Sequence, residues 1–267
     1  MQDAPDAALL AAFAALAGAG SPLSVAQEAD ADWLALSQAG LVPVNAGRFH
    51  VHTGEQRGQA RPGQIAIRID AGLAFGTGQH ATTLGCLLAI DRLRRRQRLG
   101  HVLDLGTGSG VLAIAAARAD RRAHVMATDV DPVAVAVARA NARGNRAGTI
   151  RLRTGAGLPV AMLRRQAPFD LVLANILMAP LLALAEGLSH AVRPGGRLVL
   201  AGLLSGQRCR IEAAYRARGF RLVSRTRGEW PVLTLVRRGR ARRTAPLAAV
   251  RAARRGTAAA LRSAGSI

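Results

Sequence analysis

A chain of 267 residues, half of them hydrophobic, can bury the core of one catalytic domain and still carry extensions. The net charge of +21 rests on 37 arginines and no lysine; nine arginines and no acid lie from Arg237 onward, so the other 28 arginines and the 16 acids leave +12 on residues 1 to 236. Cys86 and Cys209 stand far apart and the six histidines show no metal-ligand spacing, which excludes a disulfide framework and a zinc site and fits a reducing, cytoplasmic setting. An excess of this kind suits acidic or nucleic-acid-rich surroundings, and it equally reflects a coding bias toward arginine.

Residues 7 to 17 predict a short alanine- and leucine-rich helix that ends at Gly18-Ala19-Gly20-Ser21-Pro22. The apolar stretch containing it follows Asp3 and Asp6, lacks a positive leader region and is too short to span a bilayer, so no membrane role is expected. A second helix is expected from Asp30 to Gln38, then extended pieces at Leu41 to Val44 and Arg48 to His52, with His50 and His52 read as exposed on one strand face. Thr53 to Gly63 reads as a loop. Ile65 to Asp70 alternates like a half-buried strand and leads into Phe75-Gly76-Thr77-Gly78, after which Thr82 and Thr83 can cap a helix running to about Arg95.

The richest stretch is Asp104-Leu105-Gly106-Thr107-Gly108-Ser109-Gly110, a glycine turn between the apolar run from His101 and a helix over Val111 to Ala119. Glycines let backbone pass under a ligand, and the following helix start offers unpaired N–H groups. A dinucleotide fingerprint places its third glycine where Val111 stands, and a P-loop needs a lysine that this chain lacks. Asp129 closes the next apolar run 23 residues after Gly106, where a strand-end carboxylate can accept both hydroxyls of a ribose. An adenosyl ligand without phosphate remains; the plainer reading makes Asp129 a cap for the helix from Pro132.

Alternation continues with a helix to Arg143, strands near Thr149 to Arg153 and Phe169 to Ala174, and Asn175 at a strand end. A helix from Ala179 to Val192, a turn at Arg193-Pro194-Gly195-Gly196, a strand to Ala201, a helix through Arg218 and strands at Arg221 to Arg227 and Val232 to Val236 complete the body. The pattern predicts an α/β fold with a doubly wound, mostly parallel sheet and ligands at the carboxyl ends of its strands. Residues 1–63 read as a short N-terminal extension and linker, 64–237 as the catalytic domain and 238–267 as an arginine- and alanine-rich tail. Such a tail is solvated, or forms an arginine-rich helix, and supplies non-specific contact to RNA phosphates.

Taken with Asp129-Val130-Asp131-Pro132, Ala174-Asn175-Ile176-Leu177 and Phe75-Gly76-Thr77-Gly78, the glycine turn resembles that of the class I S-adenosylmethionine-dependent methyltransferases, Rossmann-like in fold. More closely, the segment from about Asp32-Trp33 to Val236 resembles the ribosomal protein L11 methyltransferase (PrmA) family. That resemblance implies S-adenosylmethionine as cofactor, contacted by Thr83, Gly106, Asp129 and Asn175. Asp129 would hold the ribose, Gly106 and Gly108 would admit the methionine moiety, and Asn175 would lie near the methyl group and the incoming amine. It also implies large-subunit ribosomal protein L11 as substrate, methylated on lysine side chains and its N-terminal amine. Family members commonly carry an N-terminal recognition domain, whereas only about 30 residues precede Asp32 here. The competing readings are a methyltransferase acting on another protein's lysines, a non-catalytic RNA- or ribosome-binding module, and an NAD oxidoreductase. The RNA module would rely on the tail; with aromatics at 3% of residues, base stacking is disfavoured.

Overall fold

The structure, a computed structural model, describes residues 43–53, 60–69, 81–155 and 167–239. The expected helices before residue 40, the Phe75 to Gly78 segment and the tail lie outside the described residues. By contact density the chain forms two units, 1–39 and 40–267, and every described residue belongs to the second.

Three short strands come first, β1 (Val44–Ala46), β2 (Phe49–His52) and β3 (Ile65–Arg68), paired antiparallel then parallel. β2 lies in the middle of this small sheet and all four of its residues are buried. His50 and His52, expected on the surface, are therefore inside. Their rings stack with centroids 5.5 Å apart, and their Nδ1 atoms meet Asn45 Oδ1 at 3.0 Å and the Thr53 carbonyl at 2.6 Å.

The main body follows as α1 (Ala81–Arg96), β4 (His101–Leu105), α2 (Val111–Ala119), β5 (His124–Asp129), α3 (Pro132–Gly144), β6 (Arg151–Thr154), β7 (Phe169–Asn175), α4 (Met178–Ala183), α5 (Ala185–Ala191), β8 (Val192–Ala201), α6 (Arg208–Ala217), β9 (Phe220–Arg225) and β10 (Leu233–Arg237). Seven strands pair in the order β6-β5-β4-β7-β8-β10-β9, parallel except for β10, which runs antiparallel between β8 and β9. The doubly wound, mostly parallel sheet expected from the alternation is the observed one. β4 and β7 are buried on both faces because helices cover both, so their sequences read as nearly continuous apolar runs. One core lies between this sheet, α1, α2 and the small sheet, around Phe49, Ile67, Leu87, Ile90 and Ile114; the other lies beneath α4 to α6, around Leu103, Leu188, Ile211, Tyr215 and Phe220.

Three local expectations shift. α1 begins at Ala81, so Thr82 and Thr83 sit inside its first turn, buried, and do not precede it as caps. The single helix read from Ala179 to Val192 is two helices that meet at Leu184 (φ −85°, ψ −5°). The Arg193-Pro194-Gly195-Gly196 turn is an excursion within β8: Phe169 pairs with Val192, but Leu171, two residues on, pairs with Arg197. Gly195, at φ +77°, makes the reversal.

Candidate active site

The site lies at the carboxyl ends of β4, β5 and β7. After Leu105 the chain turns back on itself: the N–H groups of Gly106 and Thr107 both donate to the Thr128 carbonyl, at 2.9 and 3.0 Å, and Gly110 N–H donates to the Thr107 carbonyl at 2.9 Å. Gly106, Gly108 and Gly110 all have positive φ, which side-chain-bearing residues rarely adopt. Gly110 is the N-cap of α2, and a Cβ on it would stand 3.0 Å from Ala138 Cβ, so α3 packs directly against the turn.

Asp104 braces this turn from below. Its Oδ2 accepts from Thr107 Oγ1 at 2.7 Å and from Ala113 N–H at 3.1 Å, tying the loop to the first turn of α2. Burial raises its carboxyl to about 6; the bonds from Thr107 and Ala113 oppose the rise and the neighbouring Asp129 charge adds to it. Asp104 Oδ1 and Thr128 Oγ1 are buried with no hydrogen-bond partner among the described residues. Behind the loop, Asn141 Nδ2 donates to the Ser109 carbonyl at 2.9 Å, and Asn145, the C-cap of α3, grips β3 by accepting from Arg68 N–H at 2.8 Å and donating to the Arg68 carbonyl at 2.6 Å.

Asp129 does not cap α3. That role falls to Asp131, whose Oδ1 accepts from Val133 N–H at 2.8 Å. Asp129 instead faces the glycine turn: Oδ2 accepts from Gly108 N–H at 2.8 Å and Oδ1 from Asp131 N–H at 3.1 Å. Each carboxylate oxygen retains a lone pair for a further donor.

These elements enclose a cavity of about 320 Å³. Thr83, Gly106, Gly108, Asp129 and Asn175, the five residues singled out in the sequence, all line it. They come from α1, the β4–α2 turn, the end of β5 and the end of β7, spanning 93 positions of the chain. Leu105, Thr107, Val111, Leu112, Thr128, Val130, Gly155, Ile176, Pro180 and Leu184 complete the wall. Of these, Ile176 was signalled by its place beside Asn175, whereas Gly155 is recognisable only once β6 is paired: its N–H donates to the Asp129 carbonyl at 2.8 Å. The 67% exposed Val130 offers an apolar face at the rim.

Although the chain holds 37 arginines, none is among the described residues that line this cavity. Its charge comes from Asp129, with Asp104 buried behind the turn. Among the described lining residues a phosphate would find like charge and no counter-cation, whereas a vicinal diol and a positively charged centre find acceptors. The residues therefore fit a cationic adenosyl ligand and not a dinucleotide or a nucleoside triphosphate.

Comparison with known proteins points the same way. A profile of the family described as "Ribosomal protein L11 methyltransferase (PrmA)" matches residues 4–238, so the likeness begins well before the Asp32-Trp33 segment from which the sequence reading started it. Over 238 residues the chain is 45% identical to a ribosomal protein L11 methyltransferase of Caulobacter sp. (strain K31), covering 88% of this chain and 80% of the relative. It is 50% identical over 210 residues to the protein of that name from Chelativorans sp. (strain BNC1), covering 77% of this chain and 71% of the relative. Among solved structures, a ribosomal protein L11 methylase from Lactobacillus delbrueckii subsp. bulgaricus superimposes with a TM-score of 0.64 at 31% identity, over 74% of this chain and 99% of that one. The chain belongs to the ribosomal protein L11 methyltransferase (PrmA) family.

Proposed function

We propose that the protein transfers methyl groups from S-adenosylmethionine to amines of large-subunit ribosomal protein L11, on lysine side chains and the N-terminal amine, in the cytoplasm. The observation that carries this reading is the convergence of Thr83, Gly106, Gly108, Asp129 and Asn175 on one cavity with no arginine in its described lining. All five fall within 64–237, to which we assign the catalytic domain.

Within that cavity each residue has a task its geometry supports. Asp129 accepts the two ribose hydroxyls on the lone pairs left by its bonds to Gly108 and Asp131. Val130, Leu112 and Ile176 offer apolar faces for a purine. Gly106 and Gly108 leave the floor open for the amino-acid portion, and Thr83 closes the wall on the α1 side. When bound, S-adenosylmethionine supplies an electrophilic methyl group on a sulfonium and leaves as a neutral thioether.

The acceptor must present a lone pair. A lysine amine titrates near ~10.4 and an α-amine near ~8 in water, and desolvation beside positive charge lowers both. Asn175, partly exposed at the mouth of the cavity, accepts hydrogen bonds from the amine through its side-chain oxygen and aims it. Positioning and exclusion of water then stand where a dedicated base would be needed.

The test is incubation of the full chain with methyl-labelled S-adenosylmethionine and purified, unmodified L11, read by intact-mass and peptide mass spectrometry. Whole methyl units on L11 amines are expected. No gain, with cofactor binding verified on the same sample, refutes the substrate. Asn175→Ala is expected to slow turnover more than it weakens cofactor binding, and unchanged turnover removes Asn175 from its role.

A further inference from the structure

The opposite edge of the sheet carries a second, oppositely charged feature. A cleft of about 590 Å³ opens between β3, the end of α2 and the end of α3, lined by Arg68, Arg118, Arg121 and Arg146, with His52 at its inner wall. It shares Thr149 with a neighbouring cavity of about 460 Å³ that holds His101, His124 and Arg151. Beyond Gly148, Arg139 and Arg143 border a third. Together these hollows form a basic band along the amino ends of β4, β5 and β7, away from the cavity at their carboxyl ends.

No aspartate or glutamate is among the described residues that line the three hollows. Of the described acids, buried Asp120 meets Arg94 at 3.5 Å, Arg98 at 3.6 Å and Leu99 N–H at 3.0 Å, and Asp170 bonds Arg193 and the His101 N–H. The α2 and α3 carboxyl ends favour cations here, but a helix dipole amounts to about half a charge and does not account for a cluster drawn from three elements. Burial and the neighbouring charges of Arg121 and Arg146 lower the Arg118 pKa, so the cluster repels itself and an anion would relieve it.

We infer that this band is a binding surface for the phosphodiester backbone of RNA. Guanidinium groups match phosphate oxygens bidentately, and a run of them across three adjoining hollows suits an extended polyanion better than a single small anion. An acidic protein segment is the poorer match. Apart from its arginines the described lining of the large cleft is alanines, Gly144, Asn145, Thr149 and the buried His52, with no large apolar side chain to form a pocket for a peptide anchor. Phe, Tyr and Trp are absent from the described lining of that cleft and the His52 ring is buried against His50, so recognition runs through phosphates and is independent of sequence. The choice of RNA over DNA rests on the proposed ribosomal substrate; the band itself does not.

Arg121 and Arg146 are exposed and form no ion pair among the described residues, so Arg121→Gln/Arg146→Gln tests the inference in the full chain. Binding of an unstructured single-stranded RNA, followed by fluorescence anisotropy across a salt series, reports the number of phosphates engaged. Loss of two contacts lowers the slope of log K against log salt by about 1.4, which separates the two affinities by about 25-fold at 0.1 M salt if they coincide at 1 M. The arginine tail contributes equally to both proteins and cancels in the difference. Arg139→Gln/Arg143→Gln is expected to lower the slope as well, while Arg92→Gln/Arg96→Gln on α1 leaves it in place. Methyl transfer to L11 stays at the wild-type rate in the cleft variants; if transfer is absent in every protein but the slopes change as stated, the RNA surface stands and the proposed function falls. An unchanged slope in both cleft variants overturns the inference. So does displacement of RNA by polyglutamate at equal charge concentration, which would give the band to an acidic protein partner.

Discussion

Replacing Gly202 by alanine tests whether the end of β7 positions the acceptor. Gly202 follows β8, next to Ala201, which pairs with Asn175, and it adopts φ +82°. An added Cβ would stand 2.5 Å from the Ile176 carbonyl oxygen, 2.8 Å from its carbon and 2.9 Å from its nitrogen. All three are backbone atoms, so no rotamer change relieves the overlap. The segments must part by about 1 Å to reach ordinary contact, and Ile176 carries Asn175 with it. The positive φ adds about 1–2 kcal/mol to the cost of the overlap, against a domain stability of about 5–15 kcal/mol, and the thermal melt checks that the variant is folded. A displacement of this size at a positioning group costs up to about 10²-fold in rate. We therefore expect kcat to fall about 10- to 100-fold, with a much smaller loss of cofactor affinity because Asp129 and the glycine turn are untouched.

Gly219 is the matched control: its φ is +83°, yet a Cβ there meets nothing within 4 Å. Gly219→Ala carries the same φ penalty without the overlap, so it should melt about 2–8 °C below wild type and Gly202→Ala lower still. Steady-state kinetics on L11, calorimetric titration of S-adenosylhomocysteine and thermal melts complete the comparison. Wild-type kcat in Gly202→Ala, or an equal loss in Gly219→Ala, refutes the argument that the β7 terminus aims the amine.

Asp129→Ala removes the ribose acceptor and the partner of Gly108 and Asp131 N–H; two charge-assisted bonds of about 1.5–3 kcal/mol each predict roughly a 10²- to 10⁴-fold weaker cofactor by calorimetry, with Asp129→Asn intermediate. A loss below tenfold would place the ribose elsewhere. Asn145→Ala severs both bonds between α3 and the Arg68 backbone and should cost about 2 kcal/mol in urea unfolding, with cofactor affinity retained once the protein is folded. Asp104 titrates near 6 when folded against about 3.9 unfolded, so the folded state holds the proton more tightly. Its contribution to stability is complete below about pH 4 and is lost as pH rises through 6, on the order of 3 kcal/mol in all. A difference between wild type and Asp104→Asn that stays flat from pH 4 to 7 would contradict this.

The sheet's centre was legible because burial on both faces leaves a plain signature. Val102 to Leu105 and Leu171 to Ala174 are apolar runs broken by a residue with a specific task, Asp104, or ended by one, Asn175. Strand order at the far edge was not, since an antiparallel pair closes either way round in sequence. In the structure the distinction is visible in burial: β10 is buried along Leu233 to Val236 and lies inside, whereas β9 alternates and forms the edge. His50 and His52 misled because a histidine-bearing strand of four residues looks peripheral until its two neighbours are known. The sequence left Asp129 open between cap and ligand holder, and two residues of register remove the cap reading: Asp131 takes the cap.

The charge pattern carries an argument that neither motif nor fold supplies. If coding bias alone had filled the chain with arginine, arginines would be expected at the rim of every hollow. They border the three described at the amino edge of the sheet and are absent from the described lining at the carboxyl edge, where Asp129 stands open and Asp104 is buried behind it. Helix polarity contributes in the same sense, since α2 presents its N-terminus to the glycine turn and its C-terminus to Arg118 and Arg121. Yet a helix N-terminus alone would favour an anion in the cavity, and the two carboxylates oppose that preference. Selection against arginine there is what a ligand bearing a sulfonium requires, since a guanidinium nearby would repel it at the position where positive charge must sit. The same two-sided separation would keep a polyanion on the amino edge clear of the pocket proposed for methyl transfer.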